Sequence, residues 1–265
     1  MQMIDMHIHM YSRTTDDYDR MRLAGIEAVI EPAFWGGCDK TSPDSHLDYF
    51  NHITTFEPAR AAKRNIKHYV VLGMNAKEAE NTRIAFEVIE RMKPLFDRPN
   101  VIGVGEIGLN LNTPNEIEVL RRQLVYARDT GQFTIIHTPH VPKLEGVKII
   151  LGLVKELGID PATVDVDHNT EETIELTLQA GCWAGMTVYP TKLSPERAVG
   201  MIQKYGTQRM LVNSSADWET SDPLSVCRTA QEMRSRGLST ADIRTMVWDN
   251  PRKFLSQSPK FHLSE

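Results

Sequence analysis

Short β-rich runs alternate with helical segments along the whole chain, and this order constrains the fold more than any other feature. The runs cover residues 3–9, 28–34, 68–74, 101–109, 133–138, 164–168, 183–189 and 210–214. Most are unbroken apolar stretches rather than apolar/polar alternations, the pattern of strands buried on both faces of a parallel sheet. A long helix is expected over 44–65 after the Ser42-Pro43 turn, and another over 76–96 with Ile84, Val88, Ile89 and Met92 on one side. A third opens at Asn115, carries Ile117, Leu120, Leu124 and Ala127 on one stripe, and closes at Gly131. Segments 145–157, 171–180 and 195–205 each end at a glycine, as helices often do. A helix starting at Asp222-Pro223 ends at Gly237, and 239–246 adds one more. Strand-then-helix order repeated eight times predicts an α/β fold of the (β/α)8 TIM-barrel type, one domain over residues 1–265. An open doubly wound sheet would carry a glycine-rich phosphate loop after its first strand, where this chain has His7-Ile8-His9.

Composition narrows the partners. Thirty Lys+Arg against 35 Asp+Glu give a net charge of −5, without the basic surplus through which nucleic-acid binders release counterions. The balance favours a small-molecule substrate, or at most a nucleic-acid end. Cys38, Cys182 and Cys227 are odd in number and widely spaced, so neither a disulfide framework nor a thiolate metal site is expected. Reduced thiols, a start with no basic region followed by an apolar run, and no stretch of about 18 apolar residues point to a cytoplasmic protein. Oligomeric state is not legible.

In a parallel barrel, functional residues sit where strands end and the next loops begin. His7 and His9 end the first run, Glu106 lies late in the fourth, His137 ends the fifth and His168 the sixth, and Asp217 lies just past the eighth. His7 and His9, two apart, point to one face of a strand. Two imidazoles converging on a point suit a borderline divalent ion such as zinc, although paired core histidines would give the same spacing. Glu106, inside VIGVGEIGL, is a carboxylate among apolar residues and glycines, so it needs a cation or a proton. Asp217 is placed either to cap the following helix or to hold metal and accept a proton from the attacking water. Arg13 and Lys143 are candidate anion contacts, and Glu31 and Trp35 candidate pocket walls. His46, His52, His68 and His262 have no such placement and read as packing or surface residues.

Together these segments resemble the TatD-like metal-dependent hydrolases of the amidohydrolase superfamily. MIDMHIHM is similar to the superfamily's opening H-x-H motif, and GEIGLN to the TatD signature GEIGLD. His137, the DHN at His168, the Asp217 segment and NPRKFL follow in the same order, over residues from about 3 to 255. The resemblance implies one or two divalent metal ions, with zinc favoured and manganese or magnesium as alternatives. His7, His9 and Asp217 would hold the first, His137 and His168 the second, and Glu106 would bridge them. It also implies phosphoester hydrolysis, 3′-end DNase activity included. Three departures fall where TatD nucleases meet substrate: Asn110 for the Asp of GEIGLD, Thr138-Pro139-His140 for H-x-R, and Asn169 after the sixth-run histidine. They mark a divergent branch, with His140 and Lys143 as its candidate substrate contacts. Hydrolysis of a small phosphoester by a metal-activated water is therefore expected, with Asp217 and Glu106 as the catalytic carboxylates. A lactonase or amidase would use the same ligands, and a non-catalytic metal- or metabolite-binding barrel is the rival of another kind.

Overall fold

The computed structural model describes residues 1–263, so the last two residues of the expected 1–265 domain lie outside the described residues. Eight parallel strands form one sheet in the order β1 to β8: Met3–Asp5, Ile26–Pro32, Lys67–Leu72, Val101–Gly108, Thr134–His137, Val164–Val166, Trp183–Thr187 and Met210–Asn213. Backbone bonds from Ser215 N to His7 O (2.7 Å) and from His9 N to Ala216 O (2.9 Å) join the first strand's continuation to the last, closing the barrel. The expected (β/α)8 fold is the observed one.

The connecting helices are α1 Thr15–Ala24, α2 Pro43–Ala62, α3 Thr82–Met92, α4 Pro114–Asp129, α5 Lys143–Glu156, α6 Ile174–Gln179, α7 Pro195–Tyr205 and α8 Ser225–Ser235. A C-terminal segment follows, with α9 Thr240–Arg244, a π-helical turn Thr245–Asp249 and α10 Asn250–Leu255. Three helices start with the same device, a hydroxyl accepting from a first-turn N–H and proline in the first position. Ser42 bonds Ser45 N, Thr113 bonds Glu116 N, and Ser194 bonds Arg197 N. Helix α1 was not expected from sequence, because half of its segment is charged and it buries only Asp17, Tyr18 and Met21. The expected 76–96 helix is shorter, with 3-10 turns at Ala76–Glu78 and Lys93–Asp97 flanking α3.

Two apolar clusters fill the space between barrel and helices. A third joins the strand residues Ile4, Ile30, Val71, Ile135 and Leu211 to Trp248, Phe254 and Leu255 of the C-terminal segment. Each such buried side chain contributes about 1.5–3 kcal/mol. Apolar packing thus occupies the barrel toward the strands' beginnings and leaves the polar residues for their ends. Among the described residues, no helix is long and apolar enough to cross a membrane.

Candidate metal centre

His7, His9, Glu106, His137 and His168 are buried and converge where the strands end. His7 Nε2 lies 3.0 Å from His9 Nε2, and His168 Nε2 lies 3.0 Å from His137 Nδ1. Glu106 Oε1 sits centrally, 2.8 Å from His137 Nδ1, 3.0 Å from His168 Nε2 and 3.8 Å from His7 Nε2. One donor atom each from His7, Glu106 and His168 falls within 4.8 Å of the others. Imidazole nitrogens packed this tightly around one carboxylate oxygen fit a divalent cation, which such nitrogens bind from about 2.0–2.1 Å.

Local backbone and neighbours fix which nitrogen faces inward. Asp167, fully buried, accepts from His7 Nδ1 at 2.6 Å, leaving His7 Nε2 free. The other oxygen of Asp167 accepts from His168 N (2.7 Å) and Asn213 Nδ2 (2.9 Å). His168 Nδ1 lies 2.6 Å from Thr187 Oγ1, and that hydroxyl lies 2.9 Å from Asn213 Oδ1. The consistent assignment has His168 Nδ1–H donating to Thr187 and Thr187 donating to Asn213, so His168 Nε2 carries its lone pair inward. His168 holds this place with φ 61°, a left-handed conformation that costs about 1–2 kcal/mol outside glycine. Gly185 lets the carboxylates pack here: a Cβ would overlap Asp167 Oδ1 and lie 2.9 Å from Asp165 Oδ1.

Electrostatics at Glu106, His9, His137 and His168 agree with ligation, whereas at His7 the lowering by burial is outweighed by Glu106 and Asp167, which raise it. Burial pushes the Glu106 carboxyl up, but the charges of His137 and His7 and the hydrogen bonds of His137 and His168 hold it well below the usual range. Burial, then the charge of His7, drives His9 well below its ordinary value, and burial with Lys192 does the same to His168. Burial also lowers His137. Each of these shifts favours the neutral imidazole, the form that ligates. Asp165 runs the other way, raised well above its usual value by burial and by Asp167.

A cavity of about 220 Å³ opens onto this cluster, lined among others by Phe34, Trp35, Asn75, Lys77, Lys192 and Trp218. Asp217 lines it too, its Oδ1 accepting from Tyr189 OH (2.9 Å) and Glu219 N (3.0 Å). Trp35 and His140 also line the cavity. Lys143 lies beside it, its Nζ donating to Thr138 Oγ1 and His168 O at 3.0 Å each. Two expected contacts are corrected. Arg13 turns away, bonding Asp17 Oδ2 (2.8 Å) and the backbone oxygen of Asp217 (2.6 Å), so it braces the Asp217 loop. Glu31 is buried within β2 and bonds His68 Nε2 at 2.6 Å, so it lines no pocket. The departure at Asn169 is likewise internal: its amide holds Val166 O at 2.6 Å and accepts from Thr173 and Thr177. Residues not anticipated from sequence are Asp167, Asn75, whose Nδ2 donates to Glu106 Oε2 at 3.1 Å, and Lys192. Only Asp167 left a signal, since Asp165 and Asp167 alternate on one strand and so share a face.

The sequence profile of the TatD-related DNase family matches residues 4–256. The chain belongs to this family of metal-dependent hydrolases. An uncharacterized metal-dependent hydrolase of Methanocaldococcus jannaschii is 30% identical over 254 residues, covering 95% of this chain and 99% of the relative. The crystal structure of a TatD-like protein from Archaeoglobus fulgidus superposes with a TM-score of 0.79 at 25% identity, over 96% of this chain and 99% of that one. A putative amidohydrolase from Staphylococcus aureus shares the fold alone, with a TM-score of 0.59 at 11% identity over 97% and 100% of the two chains. As a TatD-family enzyme the protein works with divalent metal ions, and the histidine and carboxylate cluster is where its residues fit them.

Proposed function

We propose that this TatD-family hydrolase acts on small phosphoesters, with His7, His9 and Asp217 holding one divalent ion, His137 and His168 a second, and Glu106 between them. The carrying observation is Lys192. Its Nζ stands 3.2 Å and 3.4 Å from the two ring nitrogens of His168, and no carboxylate lies within ion-pair distance of it among the described residues. Glu106, Asp167 and Asp217 attract this ammonium only from beyond ion-pair distance, and a phosphoryl group, with charge on several oxygens throughout reaction, would give it a direct anionic partner. A neutral lactone or amide carbonyl supplies none in the ground state.

When bound, the divalent ions would supply Lewis acidity and a water acidic enough to attack near neutral pH. The chain's own residues do the rest. Lys192 holds the phosphoryl oxygens, with Lys77 on the same cavity wall. Asp217 keeps Oδ1 engaged by Tyr189 OH and Glu219 N, so Oδ2 is the oxygen that would hold metal and take a proton from the attacking water. Asp167 keeps the His7 proton on Nδ1. Phe34, with Trp218 at 4.8 Å between ring centroids, excludes water from one side of the cavity. Zinc is the favoured ion because four imidazoles outnumber the carboxylates.

Kinetics of metal-supplemented protein on a panel of phosphomonoesters, phosphodiesters, lactones, amides and single-stranded DNA tests this reading. Highest kcat/KM is expected on small phosphoesters. Preferential turnover of lactones or amides, or efficient salt-sensitive degradation of DNA, would overturn it.

A further inference from the structure

Beside the ligand cluster lies a second cavity of about 470 Å³, lined among others by His140, Lys143, Lys192 and Arg197 and by the carboxylates Glu171 and Glu172. It shares His140, His168, Thr191 and Lys192 with the first cavity, so the two adjoin at these residues. Lys143 donates to the backbone oxygen of His168 at 3.0 Å, while Lys192 stands against its ring, so the two ammonium groups flank one residue. Thr138 Oγ1 and His168 O occupy two of the three Lys143 donors, and the third is free. Like Lys192, Lys143 has no ion-pair partner among the described residues, although Glu172 contributes a weaker attraction from the cavity edge. Arg197 differs, its guanidinium bound to both oxygens of Glu171 at 2.9 Å and 2.6 Å.

Two half-buried ammonium groups flanking one residue repel each other. Such an arrangement is costly in the free protein and is relieved by a ligand that is itself anionic at that point.

We infer that Lys143, with Lys192 and His140, forms a second anion subsite, and that the substrate is a small phosphoester bearing a further carboxylate or phosphate a few bonds from the scissile group. The inference rests on the phosphoester reading for the first anion and adds the second. Lys192 serves the phosphoryl group from one side of His168, and Lys143 takes the distal anion on the other. Chain flexibility favours a short spacer, since both lysines contact the same residue.

The test is calorimetric titration of the metal-loaded full chain with 3-phosphonopropanoate and with propylphosphonate, non-hydrolysable ligands that differ at the distal end. Wild type should bind the two-headed ligand at least about tenfold tighter, which is about 1.4 kcal/mol. In Lys143→Met the ratio should fall below about twofold, and in Lys143→Arg it should be largely kept. A variant damaged overall would weaken both ligands and preserve the ratio, so the ratio isolates the subsite. Equal affinities in wild type, or an unchanged ratio in Lys143→Met, would overturn the inference. Glutarate against butanoate separates the two readings. If neither phosphonate binds, yet glutarate is preferred and Lys143→Met removes that preference, the subsite stands and the phosphoester reading falls.

Discussion

Replacing Asp167 by Asn keeps the shape of the side chain and should still cost about 10–100-fold in metal affinity. Asp167 works as an acceptor on both oxygens: one faces His7 Nδ1 at 2.6 Å, the other His168 N at 2.7 Å and Asn213 Nδ2 at 2.9 Å. An Asn can accept on only one side. If its oxygen faces His168 and Asn213, its NH2 faces His7, which must then accept at Nδ1 and carry its proton on Nε2. That proton occupies the nitrogen that points at His9 and Glu106. If the amide flips, its NH2 meets two donors inside a fully buried site, where an unsatisfied group costs about 1–3 kcal/mol. Loss of a carboxylate that orients a ligating histidine usually costs 10–100-fold in affinity, or about 1.4–2.7 kcal/mol. Zinc competition against a chromophoric chelator, run on wild type and Asp167→Asn, measures it directly. Affinity within about twofold of wild type would refute the role of Asp167 in setting the His7 tautomer.

Glu106→Gln should loosen metal binding by removing the central negative charge, whereas Asp217→Asn should keep most of the metal and lower kcat by about 10²-fold, the scale of a lost general base; metal titration with kinetics on both variants distinguishes them. Gly185→Ala should destabilise the barrel by about 1–3 kcal/mol in urea unfolding, because the added methyl overlaps Asp167 Oδ1 inside a packed region. Thiol reactivity should follow burial. Burial pushes Cys182 up to about 12 and Cys227 up to about 11, so at pH 8 their reactive thiolate fractions are about 10⁻⁴ and 10⁻³, while Cys38 is exposed. Ellman's reagent should find one fast thiol in the native protein and three after denaturation, and two or three fast native thiols would contradict this.

The barrel was legible because each strand run is apolar and each helix carries its own punctuation, as at Ser42-Pro43 and Gly206. Helix α1 escaped because Asp16, Asp17 and Asp19 dilute its apolar stripe to Tyr18 and Met21. The converging histidines and Glu106 were legible because barrel geometry sends strand ends to one rim. Arg13 misled for a local reason: a basic residue just past a strand reads as a substrate contact, but Asp17, four positions on, draws it onto helix α1. Lys192 and Asn75 sit in loops without periodicity, and only closure of the sheet places them beside Glu106 and His168.

The seam between β1 and β8 carries a consequence for how the enzyme is made. His7 and His9 sit on the very segment whose backbone bonds to Ser215 and Ala216 complete the ring. A nascent chain therefore displays these two histidines long before the residues that clamp them have left the ribosome. High-affinity metal uptake should arrive with ring closure rather than accumulate strand by strand.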